Sequence, residues 1–151
     1  MNNKKELYLL ASHGSLATGM LSAINMIYGK DDRISAYDLD HYESPDAIYK
    51  ILTEIVESNP DTNIYIVTDI LGGSVQNALL HLAIYDNASI VTGMNLGLVL
   101  SLLTISDECT LQEKCERAIA DSTPSIQVFS KHRIMMELEK YGKKDELWSI
   151  V

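Results

Sequence analysis

Short apolar runs alternate along this chain with longer segments of helical spacing. Leu7–Ala11, Ile34–Leu39, the run Ile64-Tyr65-Ile66-Val67 and Ala88–Thr92 read as strands. The first and third are apolar throughout, the pattern of a strand covered on both faces, whereas Ile34–Leu39 alternates. Between them, Leu16–Tyr28 carries apolar residues at helical spacing and stops at Gly29, a suitable C-cap. Ser44-Pro45-Asp46 predicts the next helix start, with Ser44 as N-cap and Pro45 in the first turn. That helix runs to about Glu57 and is closed by Asn59-Pro60-Asp61.

Gly72-Gly73-Ser74 opens a third helix to about Tyr85, and Asn95–Leu103 and Leu111–Ala120 predict two more. After Pro124, Ile126–Phe129 is a short strand candidate. Met135, Met136 and Leu138 suggest a helix in the tail, and the apolar terminus Trp148-Ser149-Ile150-Val151 is expected to dock on this subunit or a neighbour. Repeated strand–helix order predicts an α/β fold, a doubly wound, mainly parallel sheet with helices on both faces.

Composition narrows the function classes. The 151 residues suit one domain, and 46% apolar with 22% charged residues describes neither a disordered chain nor a coiled coil. A net charge of −9 argues against nucleic-acid binding and leaves basic protein partners open. Polar residues 2–6 lead straight into the first strand, so neither a signal peptide nor a membrane span is expected. Cys109 and Cys115, six apart, fit no zinc spacing and read as ordinary intracellular thiols.

Three loops follow predicted parallel strands and should converge at the sheet's carboxyl edge, where open α/β sheets bind ligands. They are Ser12-His13-Gly14, the stretch Thr68-Asp69-Ile70-Leu71-Gly72-Gly73-Ser74, and Thr92-Gly93-Met94-Asn95. A lone histidine there reads as a cap. A carboxylate at the neighbouring strand end changes that reading. Asp69 could hold one ring nitrogen of His13 and leave the other outward as a nucleophile. Gly72, Gly73 and Ser74 suggest a phosphate-facing turn with exposed amides at a helix N-terminus, although the run also suits a plain structural turn. It lacks the lysine of a Walker loop, and no dinucleotide fingerprint occurs, so no nucleotide or other cofactor and no metal is expected. Asp38, Asp40, His41 and Glu43 read as a solvated loop, His81 as structural, His132 as a surface residue and Asn95 as a helix cap.

With Ala11-Ser12-His13-Gly14, then Asp69-Ile70-Leu71-Gly72-Gly73-Ser74 with Gln76-Asn77-Ala78, then Thr92-Gly93-Met94-Asn95-Leu96, the chain resembles a known family over about residues 7–121. The family it resembles is the enzyme IIA component of the mannose/fructose/sorbose family of the bacterial sugar phosphotransferase system. The resemblance implies a single IIA domain over 1–151, with core 7–121 and a C-terminal extension 122–151. It implies a homodimer with an exchanged C-terminal strand, for which Ile126–Phe129 is the local candidate. It further implies that His13 accepts a phosphoryl group from the phosphocarrier HPr. His13 would then pass it to enzyme IIB, expected here as a separate polypeptide, in a relay that reaches a membrane permease only indirectly. Asp69 would be the carboxylate beside the histidine and Gly72, Gly73 and Ser74 the phosphate-facing loop, with Ser12, Gly14, Leu71 and Asn95 supporting the site or facing partners. Such a protein is cytoplasmic, or peripheral at the inner face of the membrane through its partners. Two residues depart from the family pattern. Leu71 stands where an aromatic is common and Val75 where proline is, both beside the expected partner surface. Two relatives of this reading are a phosphoryl-receiving subunit of a dihydroxyacetone kinase system and a regulatory domain that kept only the fold. The run Gly-Gly-Ser-Val-Gln-Asn favours the sugar branch.

Overall fold

Buried side chains sort cleanly by strand parity. In the computed structural model, which describes residues 5–106 and 108–141, four strands form one parallel sheet: β1 (Lys5–Ser12), β2 (Ile34–Asp38), β3 (Thr62–Thr68) and β4 (Ala88–Thr92). Tyr8, Leu10, Tyr65, Val67 and Val91 point to one face, and Leu9, Ala11, Ile64, Ile66 and Ala88 to the other. Each face is roofed by helices, which is why β1 and β3 are apolar at successive positions rather than alternate ones. Helices α1 (Leu16–Ile27), α4 (Leu96–Thr104) and α5 (Leu111–Ser122) cover the first face, and α2 (Pro45–Ser58) and α3 (Ser74–Leu79) the second.

The strand order is β2-β1-β3-β4. The chain leaves β1 toward one side, then crosses back to lay β3 on the other. The carboxyl ends of β1 and β3 therefore border the crevice where the winding reverses, the usual ligand site of such sheets. Seven register pairs, from Lys5↔Thr62 to Ala11↔Thr68, hold these two strands together.

Local signals place most element ends. Ser44 accepts from the Ala47 amide at 3.3 Å as the N-cap of α2. Thr110 and Glu113 form a reciprocal capping box on α5. β1 and β3 run one or two residues further at each end than expected, and three other elements also differ. β2 stops at Asp38, and Leu39–His41 forms a 3₁₀ turn. The helix after Gly73 is α-helical only to Leu79 and tightens to 3₁₀ over Leu80–Ile84. Ile126–Phe129 is not a strand in the single chain. Ile126, Val128 and Phe129 are exposed there and join no ladder, because the fragment has no neighbour to pair with. The tail helix forms as α6 (Lys131–Tyr141), and the apolar terminus at 148–151 lies outside the described residues.

At the opposite end of the sheet, β1 begins with a buried charge. Glu6 is 4% exposed and Lys114, from α5, is 1% exposed. The Lys114 ammonium lies 2.7 and 2.9 Å from the two Glu6 oxygens. The stacked rings of Tyr8 and Tyr65 also donate their hydroxyls to this carboxylate, at 2.6 and 3.2 Å. Burial, with the anion beside them, drives both phenol pKa values far upward, so both stay protonated as donors.

Candidate functional site

β1 ends in Ser12, and the next residue, His13, stands at the sheet's lip beside the end of β3. The side chain of Asp69 is only 9% exposed and takes hydrogen bonds on both oxygens. Its Oδ2 lies 2.7 Å from His13 Nδ1 and accepts the His13 backbone amide at 2.8 Å, and its Oδ1 accepts the Ile70 amide at 2.9 Å. Burial by itself would raise this carboxyl. The bonds from His13 and Ile70 outweigh it and hold the Asp69 pKa below the usual carboxylate range. An ionised carboxylate only accepts, so the ring proton belongs on Nδ1 and the Nε2 lone pair faces outward. Ser74 Oγ stands 3.0 Å from Nε2 and serves as its donor.

The turn between Asp69 and α3 decides where Ser74 and the ring sit. Gly73 donates its amide to the Ile70 carbonyl at 3.2 Å, and Gly72 bends the chain at φ +76°. Two side chains of α3 grip the Gly72 residue: its N–H donates to Gln76 Oε1 at 2.9 Å, and its carbonyl accepts from Asn77 Nδ2 at 3.1 Å. The glycine amides are therefore spent inside the turn. This corrects the expectation that Gly72 and Gly73 present free N–H groups to a phosphate. Their contribution is shape, and the donor aimed at Nε2 is the Ser74 hydroxyl. Gly73, not Ser74, is the N-cap of α3, which leaves that hydroxyl unspent on capping. Gln76, which the loop pattern does not single out, belongs to the site through its bond to Gly72. Its signal is a polar side chain, 5% exposed, on a helix whose Val75 and Leu79 neighbours are core.

Gly73 also carries a testable constraint. A Cβ at this position would lie 2.9 Å from His13 Cε1 and 2.8 Å from Ile70 Cγ2, closer than carbon atoms tolerate. Gly73→Ala is expected to fold but to push the ring off Ser74, and a misplacement near 1 Å lowers a positioned reaction by about 10²-fold. The ¹⁵N and ¹H resonances of the His13 ring, recorded beside thermal unfolding, test this. A ring environment unchanged from wild type would show that the ring does not depend on the clearance.

The remaining predicted residues fall into place around this pair. Ser12 is fully buried rather than partner-facing, donating to Asp38 Oδ1 at 3.2 Å and accepting the Ala17 amide at 2.8 Å. Gly14 turns the chain into α1 at φ +54°. Asn95 caps α4 by accepting the Leu98 amide at 2.9 Å. Leu71 is 75% exposed. His81 and His132 lie exposed, outside the carboxyl-edge loops. No three His, Cys, Asp or Glu side chains among the described residues could hold a metal ion.

Asp38 overturns the reading of its loop as solvated. It is 1% exposed and accepts the Thr18 amide at 3.2 and 3.3 Å, anchoring the start of α1. Burial opposes its charge, but bonds from Thr18 and Ser12 prevail and lower its pKa. His41, on the exposed side, keeps Nδ1 3.9 Å from Asp38 Oδ2. A carboxyl depressed by folding contributes stability above its ordinary value of 3.8, and that contribution is lost as pH falls through the lower native value. Urea midpoints are therefore expected to fall steadily below about pH 4. Asp38→Asn should start lower at pH 6 and show a shallower acid decline. A parallel decline would remove Asp38 from this linkage.

The fold and site define a doubly wound α/β protein with an imidazole–carboxylate pair at its winding reversal and an outward ring nitrogen beside a serine. Residues 8–119 match the family model described as the fructose IIA component of the phosphotransferase system (PTS), and the chain belongs to that family. It is 22% identical over 126 residues to the fructose-specific EIIA component of Bacillus subtilis (strain 168), covering 82% of this chain and 86% of that one. It is 25% identical over 130 residues to the sorbose-specific EIIA component of Klebsiella pneumoniae, covering 85% and 96%. The crystal structure of a phosphotransferase component EIIA from Streptococcus agalactiae superposes with a TM-score of 0.74 at 20% identity, over 82% of this chain and 97% of the other. The protein is thus an EIIA component of a sugar phosphotransferase system of the mannose/fructose/sorbose family. No helix among the described residues is long and apolar enough to cross a membrane.

Proposed function

We propose that His13 is the phosphoryl carrier of a cytoplasmic sugar-uptake relay, charged by phospho-HPr and discharged to a separate enzyme IIB. The observation that carries this reading is the engagement of Nδ1 by Asp69 at 2.7 Å, which leaves Nε2 as the outward nucleophile beside Ser74. In the forward step the Nε2 lone pair attacks phosphorus in line with the donor's P–N bond. A P–Nε2 bond forms, the donor bond breaks, and its electron pair returns to the donor imidazole. The Nδ1 proton stays in place, and Asp69 stabilises the positive charge the ring acquires. Ser74 Oγ–H turns from Nε2 to a phosphoryl oxygen. Donor and acceptor are both imidazoles, so transfer is near balance and reversible, and the protein contributes positioning and charge stabilisation.

Phosphoenolpyruvate, enzyme I and HPr supply the test, read by intact mass. One added phosphoryl group, acid-labile and base-stable, is the expected result. An unmodified chain beside fully charged HPr would end the relay reading.

A homodimer completes this proposal. β4 is a sheet edge among the described residues, with a groove of about 670 Å³ beside it, lined in part by Ala88, Ser89, Tyr85 and Leu111. The exposed Ile126–Phe129 segment of a second copy would cover that edge, as the family resemblance implies. Both the open ladder and the unburied apolar side chains support it.

A further inference from the structure

The segment after α5 is an arm that its own chain leaves uncovered. Among the described residues, neither apolar cluster of the core includes a side chain beyond Ala118. Residues 126–132 are exposed throughout, and α6 carries Met135 and Met136, both exposed, beside half-buried Ile134 and Leu138. The arm is nevertheless tied together from within. Arg133, in the first turn of α6, donates to the Val128 carbonyl at 3.0 Å and to Gln127 Oε1 at 2.6 Å, and its guanidinium lies 4.3 Å from the centre of the Phe129 ring. Ser130 Oγ accepts the Arg133 amide at 3.2 Å. Where Ile126–Phe129 goes, α6 follows. This helix lies beyond the family match over residues 8–119.

Reach decides where α6 lands. The arm leaves from the carboxyl edge of the sheet. Ser125 Oγ stands 3.4 Å from where a Cβ on Gly97 would be, in the first turn of α4, which follows β4. Laid along β4 from that end, the four residues Ile126–Phe129 run antiparallel to it and span about 13 Å, most of the about 16 Å of a five-residue strand. An exchanged element takes in a second copy the place it would take in its own. α6 is thereby delivered to the amino end of β4. The groove described above opens there, lined in part by Ile84, Tyr85, Asp86, Cys109 and Leu111. Its charge suits the helix. Asp86 is on the lining, Tyr85 donates its hydroxyl to Glu57 at 2.6 Å, and no lysine or arginine among the described residues lines the groove. The first turn of α6 brings Lys131, Arg133 and the positive end of the helix dipole.

We infer that this groove is the seat of α6 from a second copy of the chain. Ile134, Met135 and Leu138 lie against Ile84, Tyr85 and Leu111, and the turn carrying Lys131 and Arg133 lies beside Asp86. Positions 134, 135 and 138 share one side of the helix, whereas 136 falls on the other. The inference rests on the homodimer proposed above and adds a helical contact to its exchanged strand. A second copy is the occupant because the chain's own arm is held off β4. The Ile126 amide donates to the Thr123 carbonyl at 3.1 Å, Gln127 Nε2 donates to the Pro124 carbonyl at 2.7 Å, and the segment joins no ladder.

Sedimentation of the full chain measures the dimer, and the natural thiol of Cys109 reports on the groove. Met135→Cys, oxidised with glutathione disulfide, is expected to give a covalent dimer by intact mass. Its bridging peptides should join position 135 to Cys109 of the partner subunit. Wild type and Met136→Cys should lose this product. Leu138→Ser should weaken dimerisation about tenfold, as expected for an apolar anchor of an interface. Leu138 belongs to neither core cluster, so the fold is retained. A dimer with no bridge to Cys109, equal bridging from positions 135 and 136, or Leu138→Ser at wild-type affinity would each overturn the inference and leave the exchanged strand standing. A bridge closed within one chain would seat α6 in its own groove and overturn the second copy as occupant. A chain that stays monomeric at every concentration would overturn the homodimer itself and the inference with it.

Discussion

His13→Ala is expected to take up no phosphoryl group from phospho-HPr, with circular dichroism and thermal unfolding close to wild type. The ring is 41% exposed and its engagement is with Asp69 and Ser74, so its loss leaves the apolar core untouched. The complementary variant, Asp69→Ala, should still fold but slow transfer by about 10²-fold, the scale of losing a charge-stabilising partner. Two effects combine there: Nδ1 loses the acceptor that fixes its tautomer, and the His13 and Ile70 amides lose theirs. Quenched-flow transfer with a mass readout separates these cases. Full labelling of His13→Ala would place the acceptor elsewhere, and an unchanged rate for Asp69→Ala would remove the carboxylate from the chemistry.

The second large effect concerns stability. Lys114→Met takes from the buried Glu6 carboxyl group the ammonium that sits against both its oxygens, leaving it only the more distant Arg33 guanidinium at 3.8 Å and the tyrosine hydroxyls. Breaking a buried pair on one side costs about 3–5 kcal/mol, which for a chain of this size lowers the melting temperature by about 10 °C or more. Glu6→Leu with Lys114→Met removes both charges and should regain at least about half of that loss, because apolar replacement of a whole buried pair is often near neutral. Recovery is incomplete because Tyr65 loses the carboxylate it donates to, whereas Tyr8 keeps the Leu102 carbonyl at 3.2 Å. Denaturant midpoints of the two variants decide the matter. A double variant as unstable as the single one would mean that the side chains' shapes, not their charges, are what the core requires.

Much of this architecture can be read from local pattern. Ser44-Pro45 marks a helix start by capping chemistry alone, and the apolar runs of β1 and β3 announce strands covered on both faces. His13 and Asp69 were legible as a pair because each directly follows a parallel strand. What stayed hidden depends on distant partners. Asp38 sits in a polar run that looks solvated, and its burial comes from α1 starting across from Ser12. Glu6 reads as the end of a polar leader, and its place in the core depends on distant partners, Lys114 at 108 residues on and Tyr65 at 59. The amides of Gly72 and Gly73 look available in sequence, but the neighbouring Gln76 and the Ile70 carbonyl claim them once the turn closes.

The β1–β3 ladder has a consequence for synthesis on the ribosome. His13 and its acid are 56 residues apart and meet only after the segment from Thr62 to Thr68 has emerged and zipped against β1. A nascent chain that stalls before this point exposes a histidine with no tautomer set and no serine beside it. In the proposed relay, competence to be charged therefore waits on the pairing of β3 with β1.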